Sequence, residues 1–557
     1  MKNNLRTKQI LNNEIYKDGI IVMILYAVLF LLITYFHEPW FDEAQAWEIG
    51  RTATYKEMFT VLPHTEGHPP LWSLILSIPA KLGMPYYIGL KSASFVFSAI
   101  TVYLIVIKSP FPKLIRYMLP FTYFIFYQYG VISRTYCVLE LACILIALTF
   151  EKRNEKPWRF IGCLYLLCLT STYGILIACG ICVCWLWDIS HETDNKVGLI
   201  VDKRIKLLFV LLIVVLPVIY IISPSEDAYA LKQLAAEGTI IKRLFYFLFV
   251  MPGDAFVSFG PLPSWDSFGP ADIVSGLIVT IILVFYILLI SKCRDIKYFI
   301  IPYVFYALFM SVYGTGNHTG IGMIYLICYI WSVYDKGYID IRMKKTAERI
   351  CKLLKKQEDY GILPVMKAIP TVIIAMSLVY NIFVSIEDIM LPYSEAQAIA
   401  GFIKEHNMQD ANIMVVWTTD KDTFNSSDDV HINDDEYQSE NTFDAVAILP
   451  YFDKNIFFNH NIRDHRKGYV SHLVLSKEEN KKNYELWHDF GRPEVLIGLP
   501  PLHLVYNGEV TIGDYVSVAT MTGYYMGKNI PVTQIKHIYV RKDCLNKFGL
   551  SPMELNK

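Results

Sequence analysis

Long apolar runs recur from residue 19 to residue 386, and no other feature limits the fold as tightly. The first, Gly19 to Phe36, is followed by candidates at 86–107, 114–130, 134–150, 160–173, 174–187, 207–222, 272–290, 298–313, 320–334 and 368–386. A helix needs about 20 apolar residues to cross the hydrocarbon layer of a bilayer, and some of these runs are shorter. Backbone inside that layer must satisfy its own hydrogen bonds, which helices do within one segment. The pattern predicts a multi-pass α-helical membrane protein with about 11–13 spans. Composition agrees: 54% of residues are hydrophobic, 18% are charged, and the mean hydropathy is +0.34. That lies outside the range of ordinary soluble chains. A net charge of −1 sets up no global field toward nucleic acid, and no nucleic-acid partner is expected.

Local charge carries the orientation. Segments 1–18, 108–116, 151–159, 188–206, 291–297 and 335–367 hold 27 Lys and Arg residues, and the segments of the other face about eight. Lys and Arg concentrate on the cytoplasmic side of membrane proteins. The N-terminus is therefore expected in the cytoplasm, with 37–70, 127–134, 223–271, 313–319 and everything after 386 on the extracytoplasmic side. Eighteen residues precede the first run, and His-Glu-Pro-Trp follows it where a signal peptide would carry small residues. It reads as an uncleaved span of a cell-membrane protein, in a bacterial cytoplasmic membrane.

Two domains are expected, a transmembrane domain over 1–386 and a soluble extracytoplasmic α/β domain over 387–557. In the second, "AQAIAGFIKEH" has helical amphipathicity, while "ANIMVVW", "DAVAIL", "EVLIGL" and "IKHIYV" read as short buried strands. The acidic stretch Asp420 to Glu440 lacks the spacing and glycine of a calcium-binding helix-loop-helix and reads as a solvated loop. Eleven cysteines, most of them inside apolar runs, read as packing residues.

The chemistry gathers on the outer face. The first outer loop, 37–70, opens with "HEPWFDEAQAW", which carries Asp42 and Glu43, and closes with "HTEGHPPLW", which carries Glu66 and His68. Asp42 has two readings, as the N-cap of a helix running to Gly50 or as a reactive carboxylate. Thr54 and Glu57 form a capping-box pattern, and Tyr55, Met58, Phe59 and Leu62 follow on one face of a short helix lying at the membrane surface. In "SRTYCVLE", Arg134 stands at the outer end of a span against the positive-inside bias, with Tyr136 and Glu140 one turn apart. Arg134 reads either as one arm of an internal salt bridge or as a bidentate fork for phosphate. Tyr173 at a break between short spans, His318 with Asn317 in "GTGNHTG", and the Gly- and Pro-rich "MPGDAFVSFGPLPSWDSFGPAD" complete the outer set. The last can act as a cover over a substrate or as an ordinary connector.

Taken in order, "FDEAQAW", "GHPPLWSLIL", "SRTY" and "GNHTG" resemble motifs of the GT-C superfamily of integral membrane glycosyltransferases. The branch they resemble is that of the protein O-mannosyltransferases and lipid A aminoarabinose transferases, over about the first 335 residues. The resemblance implies a GT-C-like fold and a sugar donor carried on polyprenyl phosphate. The acceptor would be a protein, lipid or glycan reached from the outer side, alongside membrane lipid itself. It implies that Asp42, with Glu43 beside it, serves as the catalytic acidic residue. It also places His68 where the aminoarabinose transferases carry a phosphate-contacting Lys. Some relatives use a divalent cation, for which Asp42, Glu43 and His318 are candidate ligands; hard oxygen donors favour Mg or Mn over Zn.

The residues themselves support the same chemistry. Attack of a hydroxyl on an anomeric carbon needs a carboxylate to take the proton and a cation to hold the departing phosphate. Asp42 suits the first role, and Arg134 with His68 and Tyr136 the second. The remaining candidates for substrate binding are Glu66, Glu140, Tyr173 and His318. Two rival functions are a transporter or flippase for a lipid-linked or anionic solute and a membrane anchor for the soluble domain.

Overall fold

The structure, a computed structural model, describes residues 2–193, 196–224, 240–257, 270–314, 316–354, 361–415, 443–470, 490–498, 512–526 and 531–551, with isolated positions between 471 and 489. Among these, seven helices are long and apolar enough to cross a membrane: Tyr16–Phe36, Tyr86–Lys108, Thr172–Glu192, Lys203–Ile222, Ile273–Ile290, Cys293–Tyr313 and Ile362–Met390. Four shorter apolar helices join them: Leu71–Lys81, Tyr136–Phe150, Pro157–Cys168 and Thr319–Val333. The chain is a multi-pass helical membrane protein. Among the described residues seven helices meet the length requirement alone, against the 11–13 spans expected.

Three expected spans are the shorter apolar helices Tyr136–Phe150, Pro157–Cys168 and Thr319–Val333, and two further segments depart from the expected pattern. The run 114–130 is not one helix but an α-helix Lys113–Met118, a 3₁₀ turn Leu119–Phe121 and a π-helix Phe124–Val131. All eight residues of the π-helix are buried. Irregular backbone at membrane depth is tolerated when protein rather than lipid surrounds it. In the segment 223–271, expected as an outer loop, Ile240–Phe245, Tyr246–Val250 and Met251–Val257 form a continuous helical stretch. Its last turns are buried against Pro270–Ile290. A Cβ on Gly253 would stand 2.2 Å from the carbonyl oxygen of Gly276, so the two backbones touch as small residues permit in membrane helix pairs. Of the proposed cover, 251–257 and 270–272 lie among the described residues; the first is core and the second opens the helix Pro270–Ile290.

The connections sort to two ends. At one, Asp18 pairs with Lys113, Asp188 with Lys297 and Arg153, Arg204 with Glu192, and Lys367 with Asp340. At the other, His64 meets the carbonyl of Ser223 at 2.6 Å, Thr172 donates to the carbonyl of Gly67 at 3.1 Å, and Tyr129 donates to that of Asn317 at 2.8 Å. The segments assigned to a common outer face by charge thus meet one another.

After Met390 the chain forms the helix Ala396–Glu405, whose Ala396, Ile399, Ala400 and Ile403 are buried at helical spacing. A four-stranded sheet follows, β1 Ile413–Val415, β2 Val495–Ile497, β3 Tyr515–Met526 and β4 Pro531–Arg541, in the order β1-β2-β4-β3. β1 and β2 are parallel and the other pairs antiparallel. "DAVAIL", expected as a strand, is instead mostly the helix Phe443–Ile448, and β3 had no counterpart in the sequence reading. The acidic stretch Asp420 to Glu440 lies outside the described residues.

This unit has a core of its own, but it also shares one with the membrane domain. Val446 and Val470 pack with Ala44 and Trp47 of the segment 37–70 and with Trp72 and Leu76 of the helix after it.

Candidate functional site

The segment 37–70, expected as the first outer loop, is built around the helix Phe41–Thr52. Its N-cap is Trp40, whose N–H reaches Glu43 Oε2 at 3.4 Å. Asp42 is therefore the second residue inside the helix and not its cap. Successive helical residues project about 100° apart, so Asp42 and Glu43 face different surroundings.

Asp42 faces a cleft. Its Oδ2 lies 2.5 Å from Nη1 of Arg134, with the side chains 24% and 18% exposed, so the pair is reachable from water. The cleft, of about 70 Å³, is also lined by Gln45, Glu66, His68 and Trp72. Gly67, at φ +66°, closes the short helix Leu62–Glu66 in the left-handed region that glycine enters without strain. That turn sets Glu66 and His68 on the cleft wall. Burial, reinforced by Arg134, lowers His68 to about 4, so it is neutral at physiological pH, and its Nδ1 has no hydrogen-bond partner.

Behind the ion pair runs an aromatic wall. The Arg134 guanidinium stands 5.3 Å from the ring centre of Tyr136. Tyr136 packs on His318 at 5.8 Å, and His318 on Tyr173 at 4.7 Å between ring centres. Tyr173 donates its hydroxyl hydrogen to the carbonyl of Tyr313 and meets His318 Nδ1 at 3.0 Å. Its one hydrogen being used, it accepts from His318 Nδ1–H, which fixes the imidazole tautomer. Burial first, then Arg134 and His68, press His318 well below its usual value. Residues from three separated segments, 134–136, 173 and 313–318, therefore touch in series behind the cleft.

Glu43 and Glu140 are not brought to it. Glu43 is fully buried: Oε1 accepts from Lys91 Nζ at 2.7 Å and from the Ser133 N–H at 2.7 Å, while Oε2 meets His37 Nε2 at 3.0 Å. His37 Nδ1 continues to Asp388 at 2.9 Å. Burial works against the charge on Glu43, but Lys91 and His37 outweigh it and hold the carboxyl at about 2. Its place is structural, tying the first span, the outer loop, the helix Tyr86–Lys108 and the helix Ile362–Met390 together. Glu140 is buried deeper in the bundle with neither oxygen hydrogen-bonded, and Arg134 pairs with Asp42 instead. The set Asp42, Glu43 and His318 does not fit a divalent cation, since both oxygens of Glu43 are committed elsewhere. Among the described residues no three His, Cys, Asp or Glu side chains converge as ligands.

Three participants went unread in the sequence. Gln45 donates from Nε2 to Glu66 at 2.9 Å and to the Val470 carbonyl at 2.6 Å, and its Oε1 accepts from the Val470 N–H at 3.0 Å. Lys91 hides in an apolar run. Tyr313 lies within electrostatic reach of Asp42, Glu66 and Arg134. For Gln45 the available signal was its helical position one turn from Asp42 and Glu48.

No protein-family model matches this chain, and no curated protein matches its sequence.

Proposed function

We propose that this protein transfers a sugar from a polyprenyl-phosphate donor to the hydroxyl of a protein, lipid or glycan acceptor at the extracytoplasmic end of the bundle. The observation that carries the reading is the Asp42–Arg134 pair, held in one water-reachable cleft with Glu66 and His68. A phosphate offers the guanidinium a bidentate partner, so the arriving donor takes Arg134 and releases the Asp42 carboxylate. Asp42 then accepts the proton of the acceptor hydroxyl as its oxygen bonds to the anomeric carbon. The bond from that carbon to the phosphate oxygen breaks, and its electron pair leaves on the polyprenyl phosphate, which Arg134 steadies. Neutral His68 contributes a hydrogen bond but no charge. One displacement inverts the anomeric centre.

The test uses purified protein in lipid vesicles with lipid-linked sugar extracted from cells lacking it. Asp42→Asn should lower turnover about 10²- to 10⁴-fold, the range for removal of a general base, while donor binding persists. Arg134→Gln should weaken binding as well. Wild-type turnover by Asp42→Asn would refute the assignment. Failure of a lipid-linked sugar to accumulate in cells without the protein would count against transfer altogether.

A further inference from the structure

A cavity larger than that of the site lies at the opposite end of the bundle, where Asp18 and Lys113 pair. It has a volume of about 750 Å³, within the size range of sites for lipid-sized molecules. Its inner walls are apolar, from Phe256, Leu283, Ile327 and Ile374 among others, and its rim carries Lys113, Arg116, Lys336 and Lys367 against the single carboxylate of Asp340. Two of those cations are already neutralised, Lys113 by Asp18 and Lys367 by Asp340. Arg116 is not: its Nη atoms donate to the backbone carbonyls of Val106 and Phe111, its Nε has no acceptor, and no carboxylate pairs with it among the described residues. Lys336, exposed at the start of the helix Lys336–Leu353, has no ion pair there either. Beside Arg116 the buried hydroxyl of Tyr117 lacks a partner, and Tyr117 and Tyr334 both line the same rim.

Unneutralised cations and an unpartnered hydroxyl beside an apolar chamber match one chemistry, an anion attached to a hydrocarbon chain. Basic pockets between membrane helices on the cytoplasmic side bind anionic headgroups in this way. We propose that this cavity is a binding site for an anionic glycerophospholipid, its phosphate on Arg116 and Lys336 and an acyl chain inside the chamber. Bound there, the lipid bridges the broken segment 113–131, the helix Lys336–Leu353 and the helix Ile362–Met390, and so braces the end of the molecule farthest from Asp42.

The full chain, stripped of lipid in detergent, is offered equal amounts of phosphatidylglycerol and phosphatidylcholine, and native mass spectrometry counts what stays bound. The wild type should retain phosphatidylglycerol on the order of tenfold over phosphatidylcholine, as two unneutralised cations near the headgroup provide. Arg116→Gln with Lys336→Gln should bring the ratio near one. Ile374→Trp, which fills the chamber, should remove both lipids. Should the double variant not fold, Lys336→Gln alone, at an exposed position, should still lower the ratio severalfold. Equal retention of the two lipids by the wild type, an unchanged ratio in a folded variant, or preferential retention of a polyprenyl monophosphate would each overturn the proposal. Because the readout is binding and not turnover, it stands or falls separately from sugar transfer.

Discussion

Adjacent carboxylates at 42 and 43 do opposite work, and the helix that carries them decides which does what. One faces a cleft and an arginine, the other a lysine inside the protein. The buried pair is a structural demand: breaking one arm leaves the other charge stranded, at a cost of about 3–5 kcal/mol. Glu43→Gln and Lys91→Met should each lower the melting temperature in detergent sharply, and the double exchange to Met at both positions should recover much of the loss. The folded carboxyl of Glu43 sits at about 2, below its unfolded value near 4.5, so its contribution is complete above pH 4.5 and is lost as pH falls toward 2. Acid melting across that window should be blunted in Glu43→Gln. His68, lowered to about 4, stays neutral from pH 5 to 8. The rate–pH profile should keep its shape in His68→Asn, and an acidic limb near pH 6 that disappears in this variant would contradict that assignment. That Asp42, Glu66, His68 and Arg134 line one cleft could be anticipated because ionisable side chains at the ends of apolar runs are conspicuous by type and position. The opposed duties of 42 and 43 could not, since adjacency in sequence says nothing about which face of a helix meets the core. Lys91 was illegible because its partner lies 48 residues away.

At the scale of elements, uninterrupted apolar helices such as Lys203–Ile222 could be read directly, and those with unusual backbone could not. Phe124–Val131 is buried on every side, so it offers no polar face from which to infer a period, and its π-turn leaves no mark in composition. The stretch 240–257 carries Lys242, Arg243 and a Pro-Gly pair, which read as a loop. Those small and bent residues instead let it lie directly against Pro270–Ile290. Gly253→Leu should force these helices apart, and size-exclusion profiles should show loss of monodisperse protein, whereas Gly162→Leu, where a Cβ would meet nothing within 4 Å, should be tolerated. β3 escaped notice because "YVSVATMTGYYM" mixes Ser and Thr into a strand paired along its length with β4. "DAVAIL" was misread because a short apolar run does not distinguish strand from helix.

At the scale of the molecule, the C-terminal unit is joined to the site rather than appended to the membrane domain. Besides the Gln45–Val470 bonds, Arg51 donates to the carbonyls of Phe452 and Leu449, Gly468 N–H donates to Thr52, and Lys467 pairs with Glu57 at 2.8 Å. Most of these contacts involve backbone atoms, which carry no sequence signature, so this attachment was not legible. Gln45 sits between Val470 and Glu66, and the cleft wall therefore depends on the last sixth of the chain. Truncation after residue 390 should abolish turnover and make 37–70 sensitive to protease, rather than only change acceptor choice. Gln45→Leu should reproduce part of the loss in turnover with the membrane helices intact. A truncated protein with full activity and a protected loop would contradict this dependence.

The same attachment sets a schedule for biogenesis. The ribosome releases residues 37–70 to the membrane long before it makes 449–470, so the segment bearing Asp42 waits, half-supported, through the insertion of every later span. Its groove is completed only after Val470 has been made and packs against it. An interrupted or misinserted polypeptide consequently carries an unfinished groove.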